Sequence, residues 1–421
     1  MDFVQQLLAC TALCAPSKDV KLNGRTFKIV RLLGEGGFAF VYLAEDTSSG
    51  RQFALKKIRC QSSEGYRIAM KEVEAYKRFR HPYCIRCLDS CVIQDEEGQV
   101  IYLFLPFYKR GNLQDAINDH VTSGSRFGER EMLRLFLKTC EAVRAMHTYV
   151  PGSSGTAQLA QDESTYPPPQ QRVSRMRVPS AHSLEETLDG GEDDEQDAPL
   201  IRTSEMSGGI LESNNAPEAS TSAVAQLSDQ GDTLGSLDPK PAPNLNSTGA
   251  KQRGKMTPWA HRDIKPANIM VTDDGQDAIL MDFGSAAPAR VEVPSRSVAL
   301  TQQDLAAEQC SMPFRAPELF DVKTGQDLDQ KVDIWSLGCT LFALAFHHSP
   351  FETEQEQQGG SIAMAVLNGQ YKFPSGSGDK YSQPLKDLIS SMLIVDPESR
   401  PDIHQVITST KAALARNEQV S

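Results

Sequence analysis

Two short stretches hold the residue types that phosphoryl transfer needs. In "HRDIKPAN", Asp263 can accept a proton from an attacking hydroxyl or orient it, and Lys265 can neutralise charge on a phosphoryl group in transit. The side-chain carbonyl of Asn268 suits a hard cation such as Mg2+. Fourteen residues beyond Asn268, "DFG" supplies Asp282, a second hard oxygen ligand. One carboxylate near the nucleophile, cations that spread charge and oxygen ligands for a metal form a coherent set for that chemistry. The plain alternative is a polar loop followed by an unrelated turn.

A second group lies nearer the N-terminus. Gly34, Gly36 and Gly37 in "LGEGGFAFV" sit between two strand-like runs. Glycines let backbone amides approach a phosphate with no Cβ in the way. Alone, the stretch also fits an ordinary glycine-rich hairpin turn. A dinucleotide site would need a helix directly after the glycines, and here a strand pattern follows. Lys56 in "FALKKI" can reach nucleotide phosphates from the following strand, where a lone lysine would be a solvated edge charge. Glu72 lies on the next helical stretch, where a lone glutamate would be surface charge; its special reading requires Lys56 as partner.

Positioning these groups takes strands first and helices after. "FKIVRLLG", "FAFVYLAED" and "QFALKKI", within 27–58, alternate and are rich in apolar and β-branched residues, which predicts three strands. A helix is expected over Ile68–Phe79, stopped by Pro82 through its effect on His81. "QVIYLFLPF" reads as another strand. Met132, Leu135, Phe136, Thr139, Val143 and Met146 recur at helical spacing and predict a helix over Glu129–His147 with a core-facing stripe. Then the pattern is lost. Residues 148–257 carry 16 acidic against 8 basic residues and few aromatics, too little apolar surface to offset the entropy of ordering. They are read as a disordered insertion. Pattern returns after Trp259, with strands around "ANIMVTDD" and "DAILMDFG" and helices at "DIWSLGCTLFALAF" and "PLKDLISSML". The polar tail after Ala412 is expected to fray.

A length of 421 residues leaves room for several domains, or for one large domain with unstructured segments. A net charge of −12 argues against a broad nucleic-acid surface, which needs clustered Lys and Arg. The nine cysteines show no framework spacing and no secretory signal is visible, so free thiols in a reducing compartment are expected. No run of eighteen apolar residues predicts a membrane-spanning helix. Cys84, Cys87 and Cys91 lie close together, but no fourth ligand follows at finger spacing, so they read as small buried apolar residues rather than a zinc site.

The order and spacing of these motifs resemble those of eukaryotic protein kinases. The series runs from the glycine loop, Lys56 and Glu72 through "HRDIKPAN" and "DFG" to "APE" at Ala316–Glu318, "DIWSLG" at Asp333–Gly338, and Arg400. The resemblance covers 27–412 without the insertion. It implies an α+β bilobal fold: a β-rich N-lobe with one helix (27–105), a hinge (106–108) and an α-rich C-lobe (109–412) interrupted by the disordered insertion at 148–257. A leader (1–26) and a tail (413–421) flank it. It further implies that ATP is bound by Leu33, Gly34, Glu35, Gly36, Gly37, Phe38 at the loop tip, Val41, Ala54 and Lys56. The adenine would lie against Pro106 and Tyr108, with Leu105 as gatekeeper and the Tyr108 N–H as donor. Lys56 would hold the α- and β-phosphates and pair with Glu72. Asp263 would be the catalytic base, with Lys265 on the γ-phosphate. Asn268 and Asp282 would hold Mg2+, and Mn2+ would suit the same ligands. Arg262 would link the catalytic loop to the activation segment, Glu318 and Arg400 would form a buried ion pair, and Asp333 would brace the catalytic loop. Ala39 stands where the family has its third glycine, a departure small enough for ATP binding to be kept.

Lys265 and Ser311 resemble Ser/Thr kinases, so Ser and Thr hydroxyls of proteins are the expected acceptors. Ser295, Ser297, Thr301 and Ser311 are candidate autophosphorylation sites. "LLGEGGFAFVYL", "LPFYKRGNL", "MDFGSA" and "ALTQQDLAAEQCSMPFRAPELF" are similar to the Numb-associated kinase family, in particular its palmitoylated membrane-associated branch, which includes fungal vacuolar members. That family has an extra helix in the activation segment, and Ala299–Gln309 has the matching composition. In "MDFVQQLLACTALCAPS", Asp2 excludes N-myristoylation, whereas S-palmitoylation of Cys10 and Cys14 would give two acyl chains, enough for peripheral anchoring on a vacuolar, Golgi or endosomal membrane. Within the insertion, "TYPPPQQ" suits an SH3 or WW partner, and Ser174 and Ser180 suit a phospho-reader. Closing so long a loop costs about 3 kcal/mol, tolerable against a domain stability of about 5–15 kcal/mol. The rival reading is a pseudokinase scaffold acting through the insertion; the full catalytic set speaks against it. The "APE" segment likewise speaks against a small-molecule kinase.

Overall fold

A computed structural model of the chain describes residues 19–36, 39–95, 98–151, 255–352, 361–375 and 380–420. Cys10 and Cys14, the loop residues Gly37 and Phe38, and the Pro-rich stretch, Ser174 and Ser180 of the insertion lie outside the described residues.

The N-lobe is built on an antiparallel sheet of β1 (Val20–Leu22), β2 (Arg25–Glu35), β3 (Ala39–Asp46), β4 (Gln52–Cys60), β5 (Asp89–Asp95) and β6 (Gly98–Pro106), in the order β1-β2-β3-β4-β6-β5. Alternation along β4 divides its side chains between two faces. Phe53 and Leu55 join Leu22, Phe27 and Phe104 in a small core on one side. Ile58 packs with Leu103 and Leu105 on the other, where α1 (Ser63–Arg78) lies. The sheet begins earlier than the sequence reading placed it: β1 pairs Val20 with Phe27, and Leu22 is buried. The helix expected from Ile68 also starts earlier, because the Ser62 hydroxyl caps it by accepting from the Gly65 N–H at 3.0 Å.

The C-lobe opens with α2 (Leu113–Ser123), capped by Asn112 and Asp115, and α3 (Glu129–His147). Between α3 and the next helices run β7 (Trp259–Ala260), the pair β8 (Ile269–Val271) and β9 (Ala278–Leu280), and β10 (Ala287–Pro288), which pairs with β7. Then come α4 (Arg296–Gln309), α5 (Pro317–Phe320), α6 (Lys331–Phe346), α7 (Ile362–Leu367), α8 (Gln383–Met392) and α9 (Ile403–Val420). Every residue of α6 from Val332 to Ala345 is buried, so this helix is the axis of the lobe and shows no amphipathic stripe. Gly338 permits its close packing: a Cβ there would stand 2.9 Å from the Met392 Cβ. The tail expected to fray after residue 412 is instead helical to Val420, where "AALARNEQV" has strong helix formers and Ala413 is buried.

The two described ends of the chain around the insertion meet. The Thr257 N–H donates to the Tyr149 carbonyl at 2.8 Å, just past the end of α3. Their closeness means that a short linker can join them without strain. Replacing residues 152–254 by about six Gly and Ser residues should preserve the phosphoryl-transfer activity that the resemblance implies. It should also raise Tm by several degrees, since shortening the loop saves about 2 kcal/mol of closure entropy. Differential scanning calorimetry checks the second part; a lowered Tm would show that the removed residues stabilise the lobe.

Candidate active site

Strand register places the N-lobe residues. Val41 lies opposite Gly34 and Lys56, Lys56 opposite Leu103, and Ala54 opposite Leu43 and Leu105. Opposed residues share a face, as do residues two apart along a strand. Val41, Ala54, Lys56 and Leu105 therefore line one side of the sheet, above the hinge at Pro106–Tyr108. Leu33 is half-buried beside this row and Glu35 is exposed opposite Phe40. Gly36 and Ala39 close the hairpin, the Gly36 N–H donating to the Ala39 carbonyl at 2.8 Å. Nothing inside the fold requires glycine at 34 or 36. Neither has a positive φ; a Cβ at Gly34 would meet nothing within 4 Å, and one at Gly36 only the Ala39 oxygen at 3.8 Å. The space kept free lies outside the protein's own packing.

The Lys56 ammonium bridges the lobes, 2.7 Å from Glu72 Oε1 on α1 and 3.0 Å from Asp282 Oδ1. Burial alone would lower the Lys56 pKa, but the Glu72 and Asp282 carboxylates outweigh it and hold the ammonium well above the ordinary lysine range. On Glu72, burial outweighs the pull of Lys56 and raises the carboxyl. Protonation of the acid is thus the easier way to break the pair. Asp282 lies below the ordinary carboxyl range, chiefly because of the Lys56 charge. Behind it, Phe283 is buried between Tyr76 of α1 at 5.2 Å and His261 of the catalytic loop at 5.6 Å.

The catalytic loop is fixed by one residue of α6. The Asp333 carboxylate accepts from the His261 and Arg262 N–H groups, each at 2.8 Å, and lies 2.9 Å from His147 Nε2 at the end of α3. Burial would raise this carboxyl, yet the hydrogen bond and charge of His147 outweigh it and leave it below its ordinary value. Arg262 has φ 70 and Asp282 φ 64, left-handed conformations that are rare outside glycine and mark strain at functional positions. The Arg262 side chain reaches the Pro288 carbonyl at 3.5 Å, a long contact to the start of the activation segment.

Asp263 sits at the centre of a hydrogen-bond cluster. Its Oδ2 accepts from Lys265 Nζ at 2.8 Å and Asn268 Nδ2 at 3.0 Å, and its Oδ1 from the Ser311 N–H at 2.9 Å. Lys265 also donates to Ser311 Oγ at 2.6 Å. The Asn268 amide group faces two acceptors, Asp263 O at 2.8 Å and Oδ2, so its NH2 is turned to them and its carbonyl oxygen away. The Met281 N–H donates to the Asn268 carbonyl at 2.9 Å, which sets Asn268 beside Asp282. Among the described residues no group of three His, Cys, Asp or Glu could hold a metal ion. An amide oxygen and one carboxylate nonetheless fit Mg2+, which takes its remaining ligands from phosphate and water.

The other named residues fall around this centre. Arg400, with no solvent exposure, meets Glu318 in two bonds of 2.7 Å and donates to the Lys331, Ile394 and Val395 carbonyls. The activation-segment helix α4 starts three residues before the expected Ala299, because the Ser295 hydroxyl caps it. Ser295, Ser297 and Thr301 are exposed, whereas Ser311 is half-buried within the cluster. Cys84 is a core residue, and burial pushes its thiol up to about 12; Cys87 and Cys91 pack partly buried and are pushed up to about 11. His147 was not singled out by sequence, and neither was the Ser311 N–H as a partner of Asp263. A histidine closing a long helical stripe was the available signal for the first; a backbone donor leaves none.

This fold and site define a protein kinase, and comparison with known proteins agrees. The family model described as "Protein kinase domain" matches residues 27–150 and 257–410, and the chain belongs to that family. The gap between the two matched parts is the insertion. Serine/threonine-protein kinase ENV7 of Saccharomyces cerevisiae is 31% identical, over 97% of this chain and 96% of its own length. Serine/threonine-protein kinase ppk13 of Schizosaccharomyces pombe is 31% identical, over 92% and 91%. Human serine/threonine-protein kinase 16 is 27% identical, over 95% of each. The chain is a serine/threonine protein kinase that uses ATP, a divalent metal ion and protein substrates, and its relatives accord with the resemblance to the Numb-associated branch.

Stability should follow the carboxylates. Asp282 and Asp333 both have lowered folded-state values, so their contribution is complete above the unfolded value, about 3.9, and is lost as pH falls through the lower folded values. Asp333→Asn turns an amide donor toward backbone donors. It should cost about 3 kcal/mol at pH 7 and flatten the acid limb of stability against pH, measured by urea denaturation. A wild-type denaturation midpoint at pH 7 would show that Asp333 does not hold the loop.

Proposed function

We propose that the kinase transfers the γ-phosphoryl group of ATP to Ser or Thr through Lys56, Glu72, Asp263, Lys265, Asn268 and Asp282, that it phosphorylates itself, and that it acts at an endomembrane. The observation that carries the catalytic part is the Lys56 ammonium. Residues 226 positions apart meet there, with Asp282 at 3.0 Å and Glu72 at 2.7 Å. A pseudokinase scaffold usually lacks at least one of these six residues, and this chain has all of them.

The roles follow from what each group can donate or accept. Asn268 and Asp282 would hold Mg2+, with Mn2+ suited to the same oxygens; the ion supplies charge neutralisation along the phosphates. Lys56 would bind the α- and β-phosphates, with Glu72 keeping its side chain extended into the site. Leu33, Val41, Ala54 and Leu105 would enclose the adenine, and Pro106 and Tyr108 would offer it a carbonyl and an N–H. Gly34 and Gly36 would leave room for the phosphates. A carboxylate has about four acceptor positions, and three at Asp263 are taken, which leaves one for the acceptor hydroxyl. As the new O–P bond forms and ADP leaves, the hydroxyl proton passes to Asp263. Lys265 has three donors and uses two, so the third would meet the γ-phosphate. The exposed Ser295, Ser297 and Thr301 are better acceptors for autophosphorylation than Ser311, whose hydroxyl Lys265 already holds.

Incubation of the wild type with labelled ATP and Mg2+ should give phosphoprotein with sites in 295–301, and Asp282→Ala should reduce the label at least a hundredfold, to about background. No label on either protein would favour the scaffold reading.

Membrane association would come through S-acylation of Cys10 and Cys14. Among the described residues no helix is long and apolar enough to cross a membrane. Two acyl chains give stable anchoring and one gives only reversible binding. Replacing both cysteines by Ser should move the protein from the membrane to the soluble fraction on cell fractionation, and an unchanged distribution would exclude the anchor. The Pro-rich stretch of the insertion would serve an SH3 or WW partner, and its phosphorylated serines a phospho-reader.

A further inference from the structure

The C-terminal end of α1 is gripped by residues outside the catalytic set. The Arg78 guanidinium lies 4.0 Å from the centre of the Trp259 ring and 5.8 Å from that of Tyr149. Phe79, which ends α1, meets both rings edge-on at 5.7 Å and Phe283 at 5.5 Å. Tyr149 and Trp259 belong to the C-lobe. The Tyr149 carbonyl accepts the Thr257 N–H, and Trp259 is in register with Pro288 at the start of the activation segment. The end of an N-lobe helix is thus docked on the C-lobe beside the DFG phenylalanine.

Glu72, Tyr76 and Phe79 stand at i, i+4 and i+7 and share the inward face of α1. Six residues of helix span about 9 Å and move as a rigid unit. A tilt at Arg78 therefore displaces the Glu72 carboxylate relative to Lys56. A cation over an indole face and edge-on aromatic rings are directional contacts, unlike simple burial. Arg78 and Trp259 are both half-buried, with Trp259 packed against the edge of the core.

We infer that Arg78 and Trp259 are positioning residues for phosphoryl transfer: by docking the end of α1 on the C-lobe they set Glu72 against Lys56. The inference rests on the role proposed above for the Lys56–Glu72 pair.

The test is a double-mutant cycle in kcat, on the full chain with Mg2+, ATP and casein as acceptor. Arg78→Gln and Trp259→Leu should each lower kcat about fivefold, the equivalent of one cation–π contact, and Trp259→Phe should recover most of the rate. In a Glu72→Gln background the same changes should alter kcat less than about twofold, because they act through Glu72. Equal losses in both backgrounds, or none in the wild type, would overturn the inference. A Glu72→Gln protein as fast as wild type would instead overturn the role of the pair. If the Glu72→Gln rate is too low to measure, hydrogen exchange decides. Residues 63–78 should exchange faster in Arg78→Gln, and unchanged exchange there refutes docking.

Discussion

A carboxylate with no solvent exposure, Asp333, carries the catalytic loop. It sits on a helix buried over almost its whole length and spends its two oxygens on the backbone N–H groups of His261 and Arg262 and on His147. The geometry of Asp263, the next residue, depends on it. Arg262 is held in a left-handed conformation that costs about 1–3 kcal/mol for a residue with a side chain. Two hydrogen bonds from consecutive amides to one charged acceptor are of the right size to hold it there.

The second constraint joins the lobes. Lys56 comes from the sheet, Glu72 from α1 and Asp282 from the turn after β9; the first two are largely shielded from water, and Asp282 is half-buried. Glu72 pairs with that ammonium from within the N-lobe, and Asp282 adds the second carboxylate from the C-lobe. Tyr76, Phe283 and His261 follow behind it in edge-to-face contact, one residue from the N-lobe and two from the C-lobe. The polar bridge and the aromatic column therefore demand the same placement of α1. A shift that breaks one opens the other.

Much of this was legible in the residues because the chemistry is local in sequence. "HRDIKPAN" puts the base, the cation and the amide ligand on one short loop, and the stripe on α3 gave that helix to the residue. What escaped depended on capping and long-range contact. α1 began five residues before its first recognised apolar position because Ser62, a cap, carries no periodic signal. β1 was missed because three residues are too short for alternation to show. The polarity of the tail suggests fraying, but Ala, Leu, Arg, Glu and Gln are helix formers, and Ala413 is buried. The grip of Trp259 on Arg78 joins residues 181 positions apart by number, and no spacing rule reaches that far.

Position matters more than length in how the fold accommodates the insertion. An insertion is tolerated where its ends are already held by contacts that do not need it. Here Tyr149 and Thr257 share a hydrogen bond, Trp259 pairs with β10, and both flanking rings pack on Phe79. These contacts fix the entry and exit of the chain before any residue of the catalytic loop. The cost of bringing the ends of a chain segment together grows only slowly with its length, so the stem of contacts at the ends must offset a modest free energy, and aromatic packing with a cation–π contact is of that order. The same stem stands against α1 and the first residues of the activation segment. A strained stem would be felt first at Glu72 and Phe283, which is why its ends are tied by rings and hydrogen bonds rather than left as open turn.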